Sequence, residues 1–186
     1  YSFYILCVLQ RRVTESTEAG IKYVLVGAVS SAIMLFGIGY LYGLTGTTSL
    51  PAVLSRTVDL GSSPGYTLGL FLMFAGIFFK LAAFPFHFWA PDVYEGTSNQ
   101  VAAYLGTVSK VAGVAVALRM VSLMPTPPEL LNPMLWIVAF VSMAYGNFVA
   151  IRQTEMKRML AYSGIGHVGY LLMGVLAALN TQQAED

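Results

Sequence analysis

The chain has 186 residues, of which 56% are hydrophobic and only 10% are charged, and its mean hydropathy is +0.68. A soluble domain of this size needs roughly 25% charged residues to cover its surface, so the composition argues against one and makes lipid the expected solvent. The formal net charge of +1 gives no electrostatic support to nucleic-acid binding. The single cysteine, Cys7, cannot form an intrachain disulfide.

Five stretches carry no charge or one lysine near the middle, and each is long enough to cross the hydrocarbon core, which takes about 20 residues. They cover residues 23–44, 66–91, 96–118, 130–151 and 159–184. Residues 1–9 are apolar but too short to cross, so we expect them to be the end of a helix that begins earlier. The pattern predicts an all-α, polytopic transmembrane bundle with about five full spans plus a partial N-terminal helix. We expect one membrane domain over residues 1–186.

The connectors contain helix caps and breakers. In residues 10–22, Ser16 or Thr17 is predicted to cap the next helix. The loop at 45–65 is predicted to hold a short interfacial helix, and the proline-rich segment 124–133 predicts a turn that no helix crosses.

The distribution of Lys and Arg predicts an orientation. If the connectors alternate sides, one membrane face receives Arg11, Arg12, Lys22, Arg152, Lys157 and Arg158, and the other receives mainly Arg56 and Arg119. Cytoplasmic or matrix loops carry an excess of such cations. We therefore expect the first face to be cytoplasmic, or on the matrix side, and the C-terminus to lie on the outer side.

Two spans carry one lysine each, Lys80 and Lys110, well inside the apolar stretch. A lysine at the bilayer centre costs about 3 kcal/mol on insertion scales, so it usually faces a partner or water inside the bundle. Lys80 is predicted to lie too deep to snorkel to either surface, and burial disfavours its charged form. Both lysines are candidates for proton transfer. The alternative is a structural lysine paired with a carboxylate.

Pro85 follows Lys80 by five positions and has no N–H to give to the carbonyl of Leu81, which predicts one broken helix near residues 81–85. A break at this depth must line a polar cavity or be covered by protein. His87 lies two residues further and titrates in the physiological range. It is either a proton relay or a hydrogen-bonded packing residue.

His167 is the one titratable side chain in the middle of the last span. Ser163 and Tyr170 lie four residues before and three after it, on the same helix face, where the three side chains could form a hydrogen-bonded chain. The alternative is a satisfied polar residue between helices.

Four segments carry a family resemblance. They are STEAGIKY (16–23), FKLAAFPFHFWAPDVYEG (79–96), SK (109–110) and MKRMLAYSGIGHVGY (156–170). Together they resemble the antiporter-like membrane-arm subunits of proton-pumping NADH:ubiquinone oxidoreductase, respiratory complex I, and in particular the subunit 2 family of the mitochondrial and proteobacterial type. The resemblance extends over essentially the whole chain.

The resemblance implies a role for each candidate residue. Full-length members have about fourteen helices in two inverted repeats, of which this chain would supply the fifth to the tenth. Lys80 would be the central proton carrier on the broken seventh helix, poised by a glutamate on the fifth helix. Lys110, on the eighth, would pass the proton onward. His87 and His167 match positions of the central polar axis.

Two features of the family pattern are missing from this sequence, namely the glutamate expected near Lys80 and the lysine-bearing broken helix of the second repeat. We therefore expect a fragment of a split subunit whose missing helices, including that glutamate, come from a separate chain or chains. The run NTQQAED (180–186) fits a finished polar end. Other expected partners are the remaining membrane-arm subunits and membrane lipids, with no nucleic acid.

The predicted function is a contribution to proton translocation coupled to electron transfer from NADH to ubiquinone. Quinone reduction elsewhere would perturb the glutamate–Lys80 pair and move a proton through water and His87 to Lys110. No cofactor is expected on this chain, since flavin and iron–sulfur clusters belong in other subunits. Two alternatives stay open, a cation/proton antiporter subunit and a structural membrane spacer. The expected location is the mitochondrial inner membrane or, alternatively, the bacterial plasma membrane.

Overall fold

A computed structural model describes residues 2–7 and 14–185, and these residues form helices joined by turns and short loops. The helices are α1 (Ser2–Cys7), α2 (Thr14–Thr45), α3 (Leu50–Ser55), α4 (Thr57–Leu60), α5 (Pro64–Leu81), α6 (Trp89–Gly96), α7 (Asn99–Ser122), α8 (Leu131–Ile151) and α9 (Met156–Glu185). Arg11 and Arg12, which contribute to the predicted charge bias, lie outside the described residues.

Five of the helices are long and apolar enough to cross a membrane. The candidate spans are Ser16–Thr45, Pro64–Leu81, Asn99–Ser122, Leu131–Ile151 and Met156–Thr181. Large apolar side chains such as Phe148 and Ile151 are 73% and 82% exposed, which suits a surface in lipid. The predicted all-α polytopic bundle is confirmed. The loop at 45–65 holds two short helices, α3 and α4, where one was predicted.

The start of α2 differs from the prediction. The helix begins at Thr14, so Ser16 and Thr17 lie inside its first turn and do not precede it. The Ser16 hydroxyl instead donates a hydrogen bond to the carbonyl of Cys7 at 2.8 Å and ties α1 to α2. The predicted cap was wrong because a serine near a helix start can equally satisfy a carbonyl of a neighbouring helix.

The broken helix is confirmed, and the break extends beyond the predicted range. The helix α5 ends at Leu81 because Ala82 adopts a left-handed conformation with φ of 58°, and helical structure resumes only at Trp89. Pro85 accounts for this length, since it disfavours the helical conformation at the residue before it and cannot donate a backbone hydrogen bond.

Protein groups cover the break. The indole nitrogen of Trp89 donates to the carbonyl of Phe79 at 3.2 Å. The hydroxyl of Ser142, on α8, accepts a hydrogen bond from the backbone nitrogen of Phe84 at 3.0 Å. Both side chains are buried. Of the two environments left open by the sequence, these groups show the one in which protein covers the interrupted backbone.

The ends of the bundle confirm that the connectors alternate sides. Lys22, in the third turn of α2, and Arg158, in the first turn of α9, meet Asp92 on α6 at one end. At the other end, the side-chain amide of Asn132 donates to that of Asn180 at 2.6 Å, joining the start of α8 to the last part of α9. Which end is cytoplasmic stays a prediction.

Candidate functional site

Lys80 is the penultimate residue of α5 and is half-buried. Its amine lies 4.5 Å from the centroid of the Phe3 ring on α1, a cation–π contact. The end of a helix also favours a positive charge, because the last carbonyl groups point toward it. Among the described residues, Lys80 forms no ion pair with a carboxylate. Its charge is therefore supported here by a ring face and a helix end.

Lys110 lies in the middle of α7 and is 7% exposed. Its amine occupies the place where a side chain would begin at Gly164 of α9, 2.5 Å from the position of an added Cβ. A larger residue at 164 would therefore push the amine aside, so Gly164 admits the lysine between the two helices.

A cleft of about 330 Å³ is lined by Lys110 and is walled by α6, α7 and α9. Its lining residues include Tyr94, Lys157, Ser163 and His167. The structure therefore brings Lys110 and His167 together, although 57 positions separate them in the chain. The roles of the two residues remain predictions.

The predicted chain of Ser163, His167 and Tyr170 is divided between two environments. Ser163 and His167 face the cleft. The hydroxyl of Tyr170 instead accepts a hydrogen bond from the Asn147 side chain of α8 at 3.2 Å, while its ring lies 6.2 Å from the His167 ring. Two of the three polar side chains are thus available to the cleft.

His87 lies in the turn between α5 and α6 and is 1% exposed. Aromatic rings surround it, with centroids at 5.6 Å for Phe84, 4.3 Å for Phe88 and 4.6 Å for Tyr145. Neither ring nitrogen has a hydrogen-bond partner among the described residues that meets the usual distance and angle, although the Pro85 backbone lies close enough to act on the ring. The ring is therefore placed against α8, outside the set of residues that lines the Lys110 cleft.

A charged cluster at one end of the bundle was missed by sequence reasoning. Asp92 accepts hydrogen bonds from Lys22 and Arg158, each at 2.7 Å, and Arg158 also pairs with Glu95 at 2.7 Å. The lysine amine lies 2.7 Å from Glu18 as well. The sequence places these charged residues in connectors that belong to one predicted membrane face. The residues that pair lie up to 70 positions apart, so the local sequence does not indicate which of them meet.

Two opposing effects act on the Asp92 carboxyl. Burial favours its neutral form, but the hydrogen bonds from Lys22 and Arg158 outweigh burial and hold the pKa of Asp92 below its ordinary value. The paired carboxylate therefore stabilises the folded state at neutral pH. This contribution is lost as the pH falls through the unfolded and then the folded pKa, because the protonated group no longer pairs.

We expect Asp92→Asn to lower the free energy of unfolding of the assembled protein at pH 7 by roughly 2 kcal/mol, and therefore to lower its melting temperature. This is the scale for losing hydrogen bonds to charged groups. The difference from wild type should shrink as the pH is lowered below about 4, where the wild-type carboxyl also becomes neutral. Melting curves across this pH range measure it. The matched control is Asp59→Asn, since the Asp59 side chain is 65% exposed and its ion pair with Arg56 is longer, at 3.6 Å, so it contributes little to stability. Equal losses for the two variants would contradict a special role for Asp92.

Lys157, next to Arg158, holds the other side of α6. Its amine donates to the carbonyl oxygens of Glu95 at 3.3 Å and Thr97 at 2.9 Å, at the end of that helix. Since a helix end leaves carbonyl groups without intrahelical partners, the lysine satisfies two of them. Two consecutive residues of α9 thus fix the position of α6.

Comparison with known proteins decides the family. All of residues 1–186 match the family model described as NADH:quinone oxidoreductase/Mrp antiporter, transmembrane. The chain belongs to this family. A curated relative, NADH-quinone oxidoreductase subunit N 2 of Opitutus terrae, is 47% identical over 179 residues, which are 94% of this chain and 37% of the relative.

Chains in two solved structures are similar in fold to this chain. A chain of respiratory complex I from Thermus thermophilus is 37% identical, with a TM-score of 0.79 over 95% of this chain and 37% of that one. A chain of the Mrp complex from Dietzia sp. is 25% identical, with a TM-score of 0.81 over 95% of this chain and 19% of that one. The present chain therefore spans little more than a third of the length of its curated relatives.

Membership of the NADH:quinone oxidoreductase/Mrp antiporter family makes this a multi-pass membrane protein, in agreement with the five candidate spans. The relatives that match include bacterial proteins, such as those of Opitutus terrae and Geobacillus kaustophilus.

Proposed function

We propose that this chain supplies part of the proton-translocation path of an NADH:quinone oxidoreductase membrane arm. The observation that carries the proposal is the buried Lys110 amine beside the His167-lined cleft, in a chain of the antiporter-like family. A lysine inside a membrane span is costly to insert, so the lysines found there usually mark a transport path or an ion pair. The chain would be a non-redox subunit, with flavin and iron–sulfur clusters carried by other subunits.

The proposed path uses the four candidate residues in order. Lys80 at the helix break holds the first proton and pairs with a glutamate supplied from outside this sequence. Quinone reduction elsewhere in the assembly changes that pairing, and the proton passes through water and His87 to Lys110. Lys110 then exchanges it with the cleft, where His167 accepts it. An electrostatic change equivalent to one pKa unit, about 1.4 kcal/mol, changes the ratio of protonated to deprotonated lysine tenfold.

The remaining details follow from the same proposal. The chain would form the central part of an antiporter-like subunit, from its fifth to its tenth helix. The partners would be the polypeptide that supplies the other helices and the neighbouring membrane-arm subunits. The bacterial relatives favour the bacterial plasma membrane. The motif at 79–96, which resembles the mitochondrial and proteobacterial type, favours the mitochondrial inner membrane, with ubiquinone as the acceptor.

The similarity to a chain of the Mrp complex favours a second candidate, a subunit of a cation/proton antiporter. Both candidates use the same lysines, so the associated subunits distinguish them. Isolation of the assembly from its native membrane, followed by flavin and iron analysis, decides the question. Flavin and iron–sulfur subunits in the isolate support the oxidoreductase, and their absence from an intact assembly supports the antiporter.

We expect Lys110→Met to lower the number of protons translocated per electron in the assembled complex. Methionine keeps the length of the side chain but cannot carry a proton, and a positioned proton-transfer group contributes roughly a hundredfold or more to such a step. Proton uptake by sealed membrane vesicles, measured together with NADH oxidation, gives the ratio.

The control for Lys110 is Arg152→Met, which removes an exposed cation just after α8. This variant should keep the wild-type ratio. A normal ratio for Lys110→Met would reject the relay role of Lys110, whatever its effect on the amount of assembled complex.

A further inference from the structure

Tyr94, on α6, has a buried hydroxyl group without a hydrogen-bond partner among the described residues. The residue is 6% exposed. Burying a hydroxyl without a partner costs free energy, and most buried polar groups in proteins are satisfied. Phenylalanine would fill the same space without this cost, so the hydroxyl calls for a role beyond packing.

The hydroxyl lies close to the Lys110 cleft. The position of a Cβ added at Gly106 is 3.4 Å from the Tyr94 hydroxyl oxygen. Gly106 precedes Lys110 by four residues on α7, so the two positions lie on one face of that helix, a single turn apart. Tyr94, Gly106 and Lys110 all line the same cleft of about 330 Å³.

The charged cluster and Lys157 hold α6, and with it Tyr94, in place. Asp92 is bound by Lys22 and Arg158, and the carbonyl groups at the end of the helix are bound by Lys157. A group that guides proton transfer must keep its position relative to the carrier. These contacts give α6 that fixed position against α9.

The cleft offers Lys110 neutral groups in place of a carboxylate. Among the described residues that line it, the hydrogen-bonding side chains besides Lys110 and Lys157 are hydroxyl, amide and imidazole groups, and none is acidic. The cleft is also large enough for water, which needs two to four polar partners. We propose that Tyr94 is a member of the proton path whose hydroxyl is joined to the Lys110 amine by a water molecule in the cleft.

The proposal rests on the proton-translocating function given above and adds one residue to it. In each transfer, the Lys110 ammonium loses a proton to the water, and the water passes a proton on into the cleft. The Tyr94 hydroxyl donates a hydrogen bond to the water and accepts one in alternation, and it ends the cycle with its own proton. Burial raises the pKa of the Tyr94 hydroxyl, which keeps it protonated throughout.

The test compares two buried tyrosines in the assembled complex. Tyr94→Phe should slow coupled NADH oxidation by about fivefold, the scale for one hydrogen bond lost from a rate-limiting transfer, and should enlarge the solvent deuterium isotope effect. Its melting temperature should not fall, because no protein hydrogen bond is lost. Tyr66→Phe is the matched control, since the Tyr66 hydroxyl donates to the Val53 carbonyl at 2.7 Å. That variant should melt at a lower temperature and keep the wild-type rate and isotope effect.

A second variant, Gly106→Ala, leaves the tyrosine intact and places a methyl group against its hydroxyl. It should cause a similar loss of rate, and it decides the question if Tyr94→Phe does not assemble. The inference is overturned if the assembled Tyr94→Phe complex has the wild-type rate and isotope effect. If only Gly106→Ala assembles, wild-type values in that variant overturn it. If Lys110→Met is nevertheless defective, the proposed function stands. A normal proton ratio in Lys110→Met rejects the relay role of Lys110, and this inference with it.

Discussion

Replacing Lys80 by Met should lower NADH-driven proton translocation by roughly a hundredfold, the lower range for loss of a positioned proton-transfer group. The substitution preserves the apolar stem but removes the amine that lies over the Phe3 ring at the end of α5. Translocation is measured as acidification of sealed vesicles that contain the assembled complex. The amount of assembled complex should stay near wild type, because a half-buried methionine suits this position.

Lys80→Arg separates proton exchange from fixed charge. Arginine keeps the cation and its contact with an aromatic ring, but it cannot release a proton in a protein. We therefore expect Lys80→Arg to be defective as well. Full translocation in this variant would make Lys80 a structural cation and favour the membrane-spacer alternative. Arg119→Met, at an exposed position in the last turn of α7, is the control and should translocate normally.

Gly146→Val should prevent stable assembly of the protein. A Cβ at Gly146 would lie 2.8 Å from the Tyr162 carbonyl oxygen and 2.9 Å from the Gly166 Cα of α9, and it would also meet the Gly166 backbone nitrogen. These are backbone atoms, so they cannot turn aside as a side chain can. Overpacking typically costs about 1–3 kcal/mol, and more where the helices themselves must separate. The amount of complex in isolated membranes and its melting temperature measure the effect.

Gly43→Val is the matched control for Gly146. An added Cβ at Gly43, on α2, meets nothing within 4 Å. Valine also has a better helix propensity than glycine. The control should therefore assemble at wild-type levels. Normal assembly of Gly146→Val would show that α8 and α9 do not depend on this close approach of their backbones.

The sequence predicted the parts of the fold that depend on local composition. Uncharged stretches such as 130–151 identify membrane-crossing helices, here Leu131–Ile151, because their length and hydropathy alone match the bilayer. Pro85 likewise predicts the interruption after Lys80, since a missing N–H breaks a helix in any surroundings. The cap at Ser16 was wrong because its hydroxyl binds a carbonyl from another helix.

The sequence predicted less of the site, because its contacts join distant segments. Lys110 and His167 were each singled out, but nothing in the local pattern indicated that they share one cleft while His87 packs against Tyr145. Tyr94 was not predicted to be a site residue, because its sequence context does not distinguish it from the other aromatic residues. Its hydroxyl becomes notable only when its surroundings contain no hydrogen-bond partner.

The sequence by itself determined that this is a helical membrane protein with ionisable groups inside its spans, because hydropathy and the cost of burying a lysine are properties of the residues alone. Only the tertiary structure decided which groups meet. The pairing of Asp92 with Lys22 and Arg158, and the neighbourhood of Tyr94 and Lys110, depend on how the helices pack. Packing of this kind is fixed by contacts between residues far apart in the chain, which hydropathy cannot encode.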